Sequence, residues 1–133
     1  MKTKLIAITY LLIFLLLIPI SRNPTIKTQI TSATLEVSPQ TLTWQFTQGK
    51  IQKQTITITN PTNKTLPLHI NLTNWHPETA KHYTFIYWNL ENQTIQPKQT
   101  KTANITLYIY PLITKYPLST FTVTINIIGE NNK

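Results

Sequence analysis

Asn63-Lys64-Thr65, Asn71-Leu72-Thr73, Asn92-Gln93-Thr94 and Asn104-Ile105-Thr106 each have the Asn-x-Thr form that accepts an N-linked glycan. Asn23 and Asn60 are followed by proline and fall outside that form. Residues for other chemistry are sparse. The histidines are His69, His76 and His82, the acids are Glu36, Glu78, Glu91 and Glu130, and the chain has no aspartate and no cysteine. His76 and His82 flank Glu78 in one loop, but a metal centre needs three or four converging ligands. A nucleophile would have to come from Ser21, Ser32, Ser38 or Ser119, and none sits in a strand–turn–helix elbow. Hydrolysis of a glycosidic bond would require two of the four glutamates to face one cleft. With two glycines in the chain, no phosphate-cradling loop can be built. The expectation is a non-catalytic protein with no metal and no cofactor.

Aromatic side chains are the other candidates for contact chemistry. Tyr108 and Tyr110 occupy alternate positions of one apolar–polar repeat, on the polar side, so both face outward. In the segment Phe85-Ile86-Tyr87-Trp88 either Phe85 and Tyr87 or Ile86 and Trp88 line the interior, so Tyr87 or Trp88 must also face out. Two or three aromatic rings on one sheet face can stack on sugars or pack against a partner. They can also simply pair across strands and stiffen the sheet.

The elements that would hold these residues are strands. Leu42, Trp44 and Phe46 alternate with Thr41, Thr43 and Gln45. Ile56 and Ile58 alternate with threonines, and Leu66, Leu68, Ile70 and Leu72 alternate with His69, Asn71 and Thr73. Ala103, Ile105, Leu107 and Ile109 alternate with Asn104, Thr106, Tyr108 and Tyr110, and Phe121, Val123, Ile125 and Ile127 do so with Thr122, Thr124 and Asn126. A period of two sorts side chains between the two faces of a pleated strand. Turn signals separate the runs at Gln48-Gly49-Lys50, at Asn60-Pro61-Thr62-Asn63-Lys64 and at Pro97-Lys98. Asn63 is the best candidate there for a left-handed backbone. The spacing predicts an all-β, antiparallel β-sandwich of about seven or eight strands over 35–129, with a tail at 130–133.

Ahead of the alternation stands a different pattern. Leu5 to Ile20 is nearly unbroken hydrocarbon behind Lys2 and Lys4. A spanning helix needs about 20 apolar residues and a secretory h-region about 7–15. The run lies between these lengths, and no small-x-small cleavage triplet directly follows it. Residues 1–22 therefore read as a helical signal peptide or signal anchor. The rest of the chain is exported, either secreted or anchored in a membrane with the domain outside. Residues 23–34 read as a polar, threonine-rich stalk, although Ile26 and Ile30 fall on one side of any extended form and would allow it to pair.

The net charge is +8, but the lysines are scattered singly over turns and strand ends rather than gathered on one face with interleaved aromatics. That distribution argues against a nucleic-acid partner. It suits solubility and protection of sheet edges. The expected partners are a membrane, through the amino-terminal segment, and other envelope proteins or further copies of the chain.

Three stretches carry a family resemblance. Val37-Ser38-Pro39-Gln40-Thr41-Leu42-Thr43-Trp44 resembles the opening strand of the immunoglobulin-like modules of bacterial and archaeal surface proteins. Thr55-Ile56-Thr57-Ile58-Thr59-Asn60 resembles their second strand, and Ile95-Gln96-Pro97-Lys98-Gln99-Thr100 a turn before a long strand. Lys98 replaces the glycine usual in that turn, which predicts a type I turn rather than one with positive φ. The resemblance implies an immunoglobulin-like sandwich used as a surface spacer, an adhesin or a filament subunit. In the filament case Thr25–Ser32 would add as a strand to a neighbour's open edge. A carbohydrate- or envelope-polymer-binding role through Tyr108 and Tyr110 is the alternative.

Overall fold

In the computed structural model, residues 24–111 and 119–129 are described. The expected signal or anchor segment, most of the loop after Pro111 and the tail 130–133 lie outside them. Ten strands are present among the described residues: β1 (Thr25–Thr31), β2 (Glu36–Ser38), β3 (Thr41–Gln45), β4 (Ile51–Thr59), β5 (Leu66–Pro67), β6 (His69–His76), β7 (Thr84–Trp88), β8 (Thr94–Ile95), β9 (Thr100–Ile109) and β10 (Thr122–Ile128). A 3-10 helix, Glu78–His82, joins β6 to β7. No helix among the described residues is long and apolar enough to cross a membrane. The strand count exceeds the expected seven or eight because β2, β5 and β8 are too short to leave a periodic signal.

The strands form a four-stranded sheet in the order β3-β1-β10-β6, a second in the order β2-β4-β9-β7, and a two-stranded β5-β8 ribbon. All pairings are antiparallel except that of β1 with β10 (Ile30 opposite Ile125), so the expected purely antiparallel arrangement is corrected at that ladder. Buried side chains of both larger sheets belong to one hydrophobic cluster. Ile26, Ile30, Leu42, Trp44, Val123 and Ile125 come from the first sheet, and Ile56, Ile58, Trp88, Ile105, Leu107 and Ile109 from the second.

Residues 23–34, read as a stalk, contain a strand with a ladder on each side. Ile26 and Ile30 are buried and bring about 1.5–3 kcal/mol each. Thr28, between them on the same face, is buried too and accepts a hydrogen bond from Trp44 Nε1 at 3.1 Å. That contact satisfies the indole of the largest buried side chain in β3.

β6 departs from its period. Thr73 faces Thr124 but His76 faces Thr122, so Asn74 and Trp75 share one partner position, and Asn74 has φ 53°. The bulge re-aims Trp75, an odd position, to the side of Ile70 and Leu72. Its ring then packs 5.7 Å from that of Phe121.

The registers divide the molecule into two ends. Pro24 accepts a hydrogen bond from Phe46 N at 2.9 Å. Pairs Thr25–Gln45, Ile51–Tyr108, Thr84–Ile109 and Thr122–His76 all lie at that end, here called proximal. Pairs Glu36–Thr59, Thr59–Thr100 and Leu66–Ile95 lie at the other, distal end.

At the distal end the turns are fixed by side chains. Asn60 is fully buried, and its Nδ2 donates to the carbonyls of Lys64 (2.7 Å), Gln96 (3.1 Å) and Ile95 (3.3 Å). Its Oδ1 accepts from Thr62 N (3.0 Å) and Thr62 Oγ1 (2.7 Å). Gln99 N donates to Gln96 O at 3.1 Å, and Lys98 has φ 61°. With Pro97 ahead of it, this is type II geometry, so the type I expectation is corrected. The Lys98 ammonium donates to the Pro61 carbonyl, a local reason for a lysine to take this conformation. Asn63 is not left-handed; the positive φ values fall at Asn74, Asn92, Lys98 and Gly49.

Candidate functional site

β7 and β9 pair with Phe85 opposite Tyr108 and Tyr87 opposite Thr106. Ile86 and Trp88 take the interior, because Ile105 and Leu107 beside them are inward. Trp88 can be buried since its Nε1 donates to Glu91 Oε2 at 2.6 Å. Phe85 and Tyr87 are thereby turned out, which resolves the ambiguous register of that strand.

Tyr108 and Tyr110 face outward as the alternation requires, with Tyr108 half-buried. Their rings meet edge-on at 5.2 Å, and those of Phe85 and Tyr87 lie 5.4 Å apart. On the other side of β9, Ile51 stands opposite Tyr108. Phe85 (52% exposed), Tyr87 (43%), Tyr110 (47%) and Ile51 (63%) are the large apolar side chains most open to solvent among the described residues. They form one patch with Tyr108 on the outer face of the second sheet, close to the proximal end. The sequence reading located the two tyrosines but missed Phe85 and Ile51. No local signal gives them, since only the registers that set Phe85 and Ile51 opposite the outward Tyr108 turn both outward.

Electrostatically the patch is bordered by cations. Lys50 and Lys53 are exposed on β4 and the turn before it; at the same end Lys81 is exposed on the 3-10 helix and Lys27 on the outer face of the other sheet. The acidic group described at this end is Glu78, which accepts a bond from the Lys81 ammonium. That hydrogen bond, more than the accompanying charge, holds the Glu78 carboxyl below its usual range.

The other candidates are dispersed. His69 Nδ1 lies 3.0 Å from Glu91 Oε1, His76 ends β6, and His82 lies on the 3-10 helix. No group of three or more His, Cys, Asp or Glu able to hold a metal occurs among the described residues. Burial pushes the Glu91 carboxyl up, but bonds from Trp88 Nε1, His69 and Ile70 N outweigh it and hold the group low. Glu91 is thus a structural acceptor at the distal end.

All four acceptor asparagines are exposed. Asn63 and Asn92 lie in distal turns, Asn71 on β6, and Asn104 on β9, where its Oδ1 accepts from Thr55 Oγ1 at 3.2 Å. None lies at the proximal end. No family model, curated protein or solved structure matches the chain.

Proposed function

We propose that the chain is a non-catalytic cell-surface module: an immunoglobulin-like β-sandwich exported across a membrane and held at its outer side by the uncleaved amino-terminal segment. The observation that carries this reading is the junction between the two sequence patterns. Leu5–Ile20 is longer than an ordinary h-region and no cleavage triplet directly follows it. Only Ser21, Arg22 and Asn23 separate it from Pro24, beyond which β1 is bonded on both sides in its own domain. Lys2 and Lys4 favour the orientation that keeps the amino terminus cytoplasmic and the domain outside. A β1 inserted between β3 and β10 of its own chain supports a self-contained module over a donor-strand filament subunit.

The test is fractionation of cells producing the full chain. The protein is expected in the carbonate-resistant membrane fraction, with Met1 or Lys2 at its amino terminus by mass spectrometry. It should also be digestible by protease added to intact cells or spheroplasts. Recovery from the cytosol, or a mature terminus beyond residue 20, would overturn the reading.

A further inference from the structure

The exposed aromatic patch lies at the end of the fold where the chain arrives from its apolar segment. Pro24 is bonded to Phe46, and from there the turn Gln48–Lys50 leads into Ile51, which stands opposite Tyr108. Gln48 bridges to Ile109, and Tyr110 N donates to Tyr83 O at 2.8 Å. Four Cα steps join Ile20 to Pro24, so the two are no more than about 14 Å apart however the chain runs. An apolar run of sixteen residues, Leu5–Ile20, is also shorter than the roughly 20 residues that span a bilayer core. A short span draws its flanks toward the hydrocarbon. In the anchored reading the proximal end is thus kept within reach of the headgroups.

From this placement we infer that Phe85, Tyr108, Tyr110 and Ile51 seat the domain on the outer surface of the bilayer that holds its anchor. The inference rests on the anchored reading above. The chemistry of the patch suits a lipid interface. Tyrosine rings are amphipathic and concentrate at headgroup level, and Phe85 and Ile51 supply the apolar part that enters the acyl boundary. Lys50 and Lys53 stand beside the patch on β4 and the turn before it, which favours anionic headgroups. Of the exposed asparagines that could carry sugars, Asn63, Asn71 and Asn92 lie away from it, and Asn104 shares its sheet face toward the distal side. Seating the sheet on lipid removes from water the most exposed apolar side chains of the described fold. It also fixes the tilt of a domain that the tether alone would leave free to swing.

The chain has no cysteine, so single cysteines can report depth without background. Full-length Gln48→Cys and Asn63→Cys proteins, each labelled with an environment-sensitive fluorophore, are reconstituted into phosphatidylcholine–phosphatidylglycerol vesicles carrying brominated lipid. Lipid quenching at position 48 is expected to be at least about threefold stronger than at position 63. It should fall to the level of position 63 when Phe85→Ser and Tyr110→Ser are added, while co-flotation with the vesicles persists. Equal quenching at both positions in a protein that co-floats would overturn the seating and leave the anchor intact. Failure to co-float would overturn both. If soluble envelope polysaccharide shifts the label at position 48 and lipid does not quench it, the patch is a sugar site.

Discussion

The two ends of the fold are built on opposite terms. The distal end is tied down by polar groups: Asn60 binds three carbonyls and one threonine, Glu91 gathers an indole, a histidine and a backbone amide, and Lys98 reaches Pro61. The proximal end shows the larger apolar surface, and there the buried Thr84 Oγ1 has no hydrogen-bond partner among the described residues. A turn network in a low-dielectric pocket stabilises only when every member is satisfied. An exposed aromatic does almost nothing for a free domain. One end is therefore finished by its own side chains, and the other leaves large apolar side chains open to solvent.

The heaviest blow to this contrast falls on Asn60. Asn60→Ala removes five hydrogen bonds made by one buried side chain, and is expected to cost about 2–4 kcal/mol in urea unfolding. A loss below about 0.5 kcal/mol would show that water replaces the side chain freely. Next comes Lys98, whose left-handed backbone penalises a β-branched side chain. Lys98→Val should cost about 1–2 kcal/mol by the same measurement. No loss would mean that the turn can change type.

Glu91 is a smaller case, because its side chain is 41% exposed and solvent screens it. Its folded pKa is lowered. The stability it adds is therefore fully present above the ordinary carboxylate range and fades as pH falls through the lowered folded value. Glu91→Gln should cost less than about 1 kcal/mol at neutral pH and flatten the acid limb of a Tm–pH curve. An unchanged acid limb would remove Glu91 from the network. Smallest of all, Phe85→Ser with Tyr110→Ser should move the stability of the detergent-free domain by no more than about 0.5 kcal/mol. A large destabilisation would make the proximal patch part of the core after all.

Strands with long alternation were legible: β3, β4, β9 and β10 stand where the period of two put them. The same parity in Ile26, Thr28 and Ile30 made β1 readable as a strand, but not its place beside β10. Nothing in a local pattern encodes which distant ladder a strand joins. Asn60 was visible only as a turn residue, since its burial depends on the carbonyls of Ile95 and Gln96, far along the chain. The bulge at Asn74 was hidden because a shift of parity looks like the end of a strand. Of the aromatic site, the outward tyrosines followed from alternation in β9. Phe85 and Ile51 joined them only once the β7–β9 and β4–β9 registers were fixed.

The pairing of β1 with β10 has a consequence for the order in which the fold is completed. The first described strand lies against the last, so the sheet lacks one of the two neighbours of β1 until β10 has been made. Contacts of such high sequence separation form slowly. A chain still being made would therefore hold β1 open on one side until β10 arrives to lock it in place.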